Sequence, residues 1–340
     1  MAGHARVKNR DWRSIDESDV RVRPSKGTRP RSKRRPEHAD AVPALVTTVD
    51  RGRWSCAVDA KQDREVAAMR ARELGRTPIV VGDRVDLVGD TSGRPGTLAR
   101  IVRVAERSSV LRRTADDTDP YERVVVANAE QLVIVTALAD PPPRAGFIDR
   151  CLVAAYAGGL RPLLCLTKSD LADADELRGA YAELEVPTVV TRADRENTEL
   201  AEALHGTVSA LVGHSGVGKS TLVNQLVPDA DQRIGAVSAV GKGRHTSVAA
   251  LALPLPGGGW VVDTPGVRSF GLAHVTPEDI LTAFEEFAEA AEECPRGCGH
   301  LGPPGDPGCV LDSIVTEGNG SHGRLLSLRR LLASRAGVAG

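Results

Sequence analysis

The sequence predicts a multidomain protein in which a small β-barrel precedes an α/β domain with a parallel sheet and a small helical module. Three observations predict this order. Short strand-like runs separated by turn residues occupy residues 44–113. Between residues 120 and 275, continuous Val, Ile and Leu runs alternate with helical stretches, which is typical of strands buried on both faces. Beyond residue 276 the chain is rich in Cys, Pro and Gly and ends in a Leu- and Arg-rich helix.

The barrel prediction depends on four strand-like runs, at residues 44–49, 54–58, 79–88 and 97–104. A helical period interrupts them near residues 66–74. Short strands at this spacing favour a closed barrel, and the OB-fold is a five-stranded barrel that often binds oligonucleotides. We therefore expect an OB-like barrel. It serves either as an RNA-binding surface or as a spacer, because a fold alone does not define a function.

The remaining elements are predicted from hydrophobic runs and helix-start signals. An irregular pattern between residues 235 and 259 indicates a loop followed by a hairpin. Thr276 and Pro277 have the N-cap and first-turn residue types that begin a helix, which is predicted to end near residue 293. A last helix is predicted at 323–333. The buried strands are predicted at residues 131–136, 163–167, 186–190, 208–212 and 260–262.

Four domains follow from these patterns, and the first is defined by its charge. The formal net charge is −1, but residues 1–40 hold twelve Lys or Arg against six Asp or Glu. Such a tail is expected to be disordered, and it either binds a polyanion through counterion release or stays solvated. The predicted domains are a basic disordered tail at 1–40, the OB-like barrel at 41–114, the α/β domain at 115–275 and the C-terminal module at 276–340.

Hydropathy and cysteine usage favour a cytoplasmic protein without a membrane partner. No run of about 18 apolar residues occurs, and the N-terminus is polar and Arg-rich, so neither a membrane span nor a secretion signal is expected. Three of the six cysteines are scattered and three lie close together near the C-terminus. This distribution fits a metal site in a reducing compartment better than a disulfide framework.

A phosphate-binding loop is predicted directly after the strand at 208–212. The sequence there matches G-x-x-x-x-G-K-[ST] between a predicted strand and a predicted helix, which is the context of a P-loop. Its glycines let backbone N–H groups face a β-phosphate, while Lys219 reaches the β- and γ-phosphate oxygens and Ser220 ligates Mg²⁺. The predicted nucleotide-binding residues of this loop are Gly213, His214, Ser215, Gly216, Val217, Gly218, Lys219, Ser220 and Thr221.

A second phosphate motif, D-T-P-G, follows the strand at 260–262. Asp263 lies at the carboxyl end of that strand, where it can hold Mg²⁺ through water. The backbone N–H of Gly266 can meet the γ-phosphate. On its own the tetrapeptide predicts only a turn, and the P-loop gives it its functional meaning.

A guanine-specificity motif is predicted after the strand at 163–167. An Asp170 carboxylate can accept hydrogen bonds from both guanine N1–H and the N2 amino group, which adenine cannot supply. The Lys168 stem can cover the base, and the backbone of Ala193 could contact guanine O6. Helix capping is the alternative role of Asp170. The residues of the motif are Thr167, Lys168, Ser169 and Asp170.

These motifs occur in a permuted order, with the guanine motif ahead of the P-loop. The order TKSD, GHSGVGKST, residues 241–246 and DTPG, with Val81-Gly82-Asp83 in the barrel and a Cys/His cluster near the C-terminus, resembles the ribosome small-subunit-dependent GTPase family, RsgA or YjeQ. The resemblance covers residues 44–320. It implies a circularly permuted P-loop GTPase that is stimulated by the 30S subunit and acts late in its maturation. It also implies Thr246 as a Mg²⁺ ligand. Arg192 stands where the family usually has Ser.

A zinc site is predicted in the C-terminal module. Three thiolates and one imidazole make a closed tetrahedral set that suits structural Zn²⁺ and leaves no position open for chemistry. The gap between the first two cysteines is shorter than the family usually shows, and the last gap is longer. Ordinary buried cysteines are the alternative, which the surrounding Pro and Gly disfavour. We expect Zn²⁺ to fold this module. The ligands are Cys294, Cys298, His300 and Cys309.

The predicted function is hydrolysis of GTP to GDP on the 30S subunit. The predicted contact within that subunit is 16S rRNA, and the protein is expected to be a monomer. One alternative is an RNA-binding assembly checkpoint protein that uses GTP only as a binding switch. A P-loop kinase or ATPase is a third interpretation.

No motif identifies the residue that activates the attacking water. Ras-like GTPases have a water-orienting glutamine directly after D-x-x-G, where this chain has Val267. An isopropyl group can neither orient water nor accept a proton. His245, next to Thr246, is the nearest polar candidate, because an imidazole with a pKa of about 6.5 is available in its neutral form. Alternatively, His245 contacts rRNA or caps a loop.

Overall fold

The computed structural model describes residues 38–50, 52–58, 64–114, 122–230, 250–264, 271–272, 274–316, 318 and 320–336. The chain divides into two units, Met1–Glu37 and His38–Gly340, and all described residues belong to the second. The predicted basic tail therefore lies almost wholly outside the described residues.

Five strands form the closed OB-like barrel that the sequence predicts. In space they follow the order β1-β2-β3-β5-β4, and β4 pairs back onto β1. All neighbours are antiparallel except β3 and β5, which are parallel. The barrel core is apolar, and Val46, Cys56, Val66, Leu87 and Ile101 are fully buried in it. The strands are β1 Val42–Asp50, β2 Arg53–Ala57, β3 Glu65–Arg70, β4 Arg84–Gly89 and β5 Ala99–Val104.

The helical stretch predicted at 66–74 is wrong. Glu65–Arg70 is strand β3, and only Arg72–Leu74 forms a short 3₁₀ helix. Ala, Met, Arg and Glu favour helices, so propensity misled the prediction. Val66 and Ala68 alternate inward and are fully buried, so pairing with strands on both sides overrides the helical preference of the segment.

Among the residues that the structure describes, the α/β part contains six strands in the order β10-β9-β8-β11-β13-β12. The first five are parallel, and β12 forms the predicted hairpin with β13. Apolar runs buried on both faces explain why these strands were predictable. They are β8 Gln131–Ala137, β9 Arg161–Thr167, β10 Thr188–Val190, β11 Val208–Val212, β12 Leu251–Pro254 and β13 Trp260–Asp263.

The barrel and the parallel sheet are continuous through one pairing, since Thr48 of β1 lies opposite Leu251 of β12. A separate antiparallel pair, β6 Val110–Arg113 and β7 Arg123–Ala127, was not predicted. This pair spans the boundary expected at residue 114, and the domain boundaries stay predictions.

Helices cover the two faces of the parallel sheet. Helices α1 and α8 contribute to one hydrophobic core, whereas α3 and α4 contribute to the core on the opposite face. Within the described residues, no helix combines the length and the apolar character that a membrane crossing requires. The helices are α1 Ala145–Ala157, α2 Asp175–Tyr181, α3 Thr198–Leu204, α4 Lys219–Leu226, α5 Pro277–Leu281, α6 Glu285–Ala291, α7 Leu311–Thr316 and α8 His322–Arg335.

The single helix predicted from Thr276 to residue 293 is two helices, α5 and α6. Its start is as predicted, because Thr276 and Asp279 form a reciprocal capping box. The break occurs at Phe284, whose φ of −130° and ψ of 68° leave the helical region. The Phe284 ring is buried, with Tyr156 at 6.4 Å between ring centroids and the Arg324 guanidinium 5.2 Å from its centroid. Burial of this ring accompanies the interruption, which periodicity alone did not reveal.

The Val81-Gly82-Asp83 turn packs the barrel against β7 and against Asn128, which follows β7. A Cβ atom on Gly82, at φ +88°, would lie 1.9 Å from the carbonyl oxygen of Ala127. The fully buried Asp83 accepts hydrogen bonds from Arg107 Nε at 2.7 Å and Nη2 at 2.9 Å. Asn128 Nδ2 donates to the Gly82 carbonyl at 2.9 Å. This motif therefore has a structural role at the junction.

We expect Gly82→Ala to lower the free energy of unfolding by about 2 to 4 kcal/mol more than Gly96→Ala. Both glycines have positive φ, +88° and +83°, but nothing lies within 4 Å of a Cβ on Gly96. Comparing the two variants therefore separates the clash with the Ala127 carbonyl from the cost of a positive φ. Urea unfolding measures the free energy of unfolding of each variant. Equal losses in the two variants would contradict the close approach at Gly82.

Candidate nucleotide-binding site and metal cluster

Three predicted motifs lie at one edge of the parallel sheet. Strands β9, β8, β11 and β13 are neighbours in this order, and their carboxyl ends point the same way. Thr167 ends β9, Val212 precedes the P-loop and Asp263 ends β13. In open parallel sheets, ligands bind at this edge.

The P-loop connects β11 to α4 and depends on its glycines. A Cβ on Gly213 would lie 2.5 Å from the carbonyl oxygen of Val135, and Gly218, directly before α4, has φ +94°. A hydrogen bond from Thr167 Oγ1 to the Val217 carbonyl, 2.6 Å long, joins the loop to the guanine motif. The loop thus presents successive backbone N–H groups at a helix N-terminus, a geometry suited to phosphate.

Lys219 and Asp263 face each other across the edge. The distance from Lys219 Nζ to Asp263 Oδ1 is 3.1 Å, and both side chains are largely buried. The hydroxyl of Thr264 donates to the Leu211 carbonyl at 2.6 Å, which fixes the chain directly after Asp263. A cation and a carboxylate at this spacing are the groups that hold phosphate oxygens and Mg²⁺ in P-loop proteins.

His214, the second residue of the P-loop, packs against α1. Its ring centroid lies 4.1 Å from that of Phe147. Burial, and then the charge of Arg144, lower the pKa of His214, so the ring is neutral near pH 7. The contact positions the P-loop against the first turn of α1, and Phe147 was not predicted as a site residue.

The TKSD motif is held on both sides. Lys168, at φ +58°, donates from Nζ to the carbonyl oxygen of Asp140. Ser169 Oγ donates to the Thr191 carbonyl at 3.3 Å, which connects the motif to the loop that carries Ala193. The Asp170 side chain is exposed beyond these contacts. An exposed carboxylate on a fixed backbone can accept two hydrogen bonds from one base.

The described site residues thus lie along one edge, but not every predicted residue is described. Thr246, Gly266 and the catalytic candidate His245 lie outside the described residues. Sequence reasoning missed Asn197 and Gln225, which bind the loop around Ala193. Asn before a helix carries a capping signal only, and nothing in the sequence points to Gln225.

The four predicted metal ligands lie together. One donor atom from each of Cys294, Cys298, His300 and Cys309 lies within 4.8 Å of the others. The backbone N–H groups of Val310 and His300 point at the sulfurs of Cys294 and Cys298, each at 3.4 Å. Such N–H···S contacts stabilise thiolates.

The donor set fits zinc. His300 is buried, and its Nδ1 has no hydrogen-bond partner among the described residues. A buried imidazole nitrogen without a partner is costly unless it binds a metal. Arg329 supports the cluster from α8, because it donates to the His300 carbonyl at 3.3 Å and forms a bidentate pair with Asp312.

The fold and the motif order define a class. A P-loop at β11, an aspartate at the end of β13 and a TKxD motif on β9, which precedes both in the chain, are the parts of a circularly permuted P-loop GTPase.

The sequence model of the RsgA GTPase family matches residues 104–273. "Small ribosomal subunit biogenesis GTPase RsgA" of Ectopseudomonas mendocina is 41% identical over 268 residues, which cover 75% of each chain. The protein of the same name from Chlorobaculum tepidum is 36% identical over 284 residues, covering 80% of this chain and 90% of that one. The chain belongs to the RsgA GTPase family.

Solved structures are similar over nearly their whole length. YjeQ from Thermotoga maritima has a TM-score of 0.61 and 26% identity, with 87% of this chain and 99% of that chain covered. YloQ, described as a circularly permuted GTPase, has a TM-score of 0.62 and 20% identity, with 90% and 99% covered. The similarity to YloQ supports the fold alone.

We expect His300→Ala to reduce bound zinc from about one equivalent per chain to less than half. His322→Ala is the matched control, since His322 lies exposed at the start of α8 in the same part of the chain. Metal analysis of the freshly purified proteins measures the zinc bound per chain in the wild type and in both variants. A wild-type protein with less than half an equivalent of zinc would refute the site.

Proposed function

We propose that this chain is a GTPase that binds the small (30S) ribosomal subunit and acts in its late maturation, hydrolysing GTP to GDP and phosphate with stimulation by the subunit. The observation that carries the proposal is the placement of the guanine motif and the P-loop at one sheet edge, joined by the bond from Thr167 to Val217. Family membership and the names of the curated relatives supply the ribosomal role.

The P-loop binds the phosphates in this proposal. Backbone N–H groups of residues 213–220 surround the β-phosphate, and Lys219 exchanges its contact with Asp263 for β- and γ-phosphate oxygens. Ser220, Thr246 and Asp263 would hold Mg²⁺, which neutralises charge that develops on the transferred phosphoryl group. The backbone N–H of Gly266 meets the γ-phosphate.

In this proposal, residues of two loops select guanine over adenine. Asp170 accepts from N1–H and from the 2-amino group, and Lys168 covers the base. The Ala193 N–H donates to O6. Adenine offers the wrong pattern at each contact, so a buried or fixed polar group would be left without a partner.

The remaining assignments concern the metal, the RNA partner and the oligomeric state. The Cys₃His cluster holds one structural Zn²⁺ with no open position. The barrel and the basic tail contact 16S rRNA, because an OB-like barrel and an excess of positive charge suit a polyanion. The protein acts as a cytoplasmic monomer.

We expect Asp170→Asn to weaken GTP binding and to shift preference toward xanthine nucleotides. The amide can donate to the C2 carbonyl that replaces guanine's amino group. Loss of a charge-assisted, bidentate pair should cost about 2 to 4 kcal/mol. Competition titrations with GTP and XTP measure the shift. Unchanged GTP affinity in the variant would refute the guanine-binding role of Asp170.

We propose His245 as the residue that orients the attacking water. His245→Ala should then abolish most of the 30S-stimulated turnover and change GTP affinity little, because the lost group acts on the nucleophile. Val267→Ala should have a far smaller effect, since an isopropyl group cannot orient water. Stimulated kcat and 30S binding are measured for both variants. Full stimulated kcat in His245→Ala, or a loss explained by failed 30S binding, overturns the assignment.

A further inference from the structure

The loop that carries Ala193 is clamped by the side chain of Asn197. Its Oδ1 accepts from the Arg192 N–H at 3.1 Å, and its Nδ2 donates to the Arg192 carbonyl at 3.1 Å. Because a peptide unit is planar and trans, the Arg192 carbonyl and the Ala193 N–H point in opposite directions. Asn197 therefore fixes the direction of the Ala193 N–H.

Gln225 holds the other side of the same residue. Its Nε2 donates to the Ala193 carbonyl at 2.8 Å, and its Oε1 accepts from Asn197 Nδ2 at 2.7 Å. Both peptide units that flank the Ala193 Cα are thereby hydrogen-bonded through their carbonyl oxygens. Gln225 lies in the last turn of α4, the helix whose first residue is Lys219. One helix thus reaches the phosphate end of the site and the base end.

Hydrogen bonds hold this loop on the side that faces α3 and α4. Behind it lies a cavity of about 860 Å³ between α3 and α4, which Ala193, Asn197 and Gln225 line together with apolar residues such as Leu200 and Leu226. Because Ala193 and Asp194 are exposed, hydrogen bonds contribute more than packing to the direction of the backbone here. The amides of Asn197 and Gln225 supply them.

The opposite side of the loop is bound to the TKSD motif. The Thr191 carbonyl accepts from Ser169 Oγ at 3.3 Å. Arg192 forms a bidentate ion pair with Asp194, at 2.9 and 2.8 Å. The loop consequently lies between the motif that would read the 2-amino edge of a base and the helix that follows the P-loop.

We infer that Asn197 and Gln225 are positioning residues that aim the Ala193 N–H at the 6-oxo group of guanine and so set selectivity at that atom. The inference rests on the proposed guanine site. Hydrogen bonds weaken steeply as the donor angle falls, so a small rotation of the peptide loses the O6 contact. Asp170, on a different loop, reads the 2-amino group independently.

Nucleotide analogues separate the two contacts. In 6-thio-GTP, sulfur replaces O6 and accepts hydrogen bonds poorly, while N1–H and the 2-amino group remain. ITP lacks only the 2-amino group. The ratio of GTP affinity to 6-thio-GTP affinity therefore reports the Ala193 contact, and the ratio of GTP to ITP affinity reports the Asp170 contact.

The test uses the full chain with Gln225→Met and Gln225→Glu. Methionine keeps the length of the side chain without donor or acceptor, and glutamate keeps the acceptor for Asn197 but cannot donate to Ala193. Both variants should lower the GTP to 6-thio-GTP ratio about threefold to tenfold, with the GTP to ITP ratio changed less than twofold. The control is Asn224→Ala, an exposed amide on the same helix, which should leave both ratios as in wild type.

Each other outcome overturns a defined claim. If the Gln225 variants leave the GTP to 6-thio-GTP ratio as in wild type, with or without an equal loss of affinity for all three nucleotides, the inference fails. It also fails if the wild type does not distinguish GTP from 6-thio-GTP. If the wild type binds ATP as well as GTP, the proposed function itself fails.

Discussion

The hydrogen bond from Thr167 Oγ1 to the Val217 carbonyl joins the two halves of the proposed nucleotide site. It can form only because parallel pairing aligns the strands that carry both motifs. Val133 of β8 lies opposite Leu163 of β9 on one side and Leu211 of β11 on the other. Leu211 in turn lies opposite Asp263. A slip of one residue in any pair would turn these side chains to the other face of the sheet.

This alignment explains how a permuted chain can still bring the motifs of the proposed nucleotide site together. The site depends on which strand ends are neighbours in space, and strand order across the sheet does not depend on which strand comes first in the chain. Permutation does change the destination of the chain after Asp263, because the chain then enters α5 and the C-terminal helices. The γ-phosphate motif is therefore close in sequence to the part of the protein that contains the metal cluster.

Helix α1 contacts both regions. Phe147 packs against His214 of the P-loop with the two rings tilted, and two residues later Asp149 lies 3.3 Å from Arg330 of α8. Burial raises the pKa of Asp149, and the charge of Arg330 opposes this. Arg329, next in the chain to Arg330, donates to the His300 carbonyl beside the metal cluster. Contiguous contacts thus connect the phosphate loop with the Cys₃His cluster.

The sequence predicted elements whose signals are local and repeated. Apolar runs identified the parallel strands, and the spacing of Cys294, Cys298, His300 and Cys309 identified the cluster. Prediction from the sequence failed where contacts between distant residues determine the local structure. At β3, strand pairing overrides helix propensity, and at Phe284 a buried ring accompanies a break in a helix. Asn197 and Gln225 were missed for the same reason, since no sequence pattern shows which side chains bind the backbone of the loop that carries Ala193.

Single-turnover hydrolysis of GTP, measured with and without purified 30S subunits, tests whether this chain is a GTPase that the subunit stimulates. We expect slow hydrolysis by the free protein, because Val267 cannot orient water, and a rate that rises about 100-fold or more with 30S subunits, which is the contribution of one positioned catalytic group. ATP should not compete with GTP at equal concentration. An unchanged rate on addition of 30S subunits, or equal use of ATP, would contradict the account.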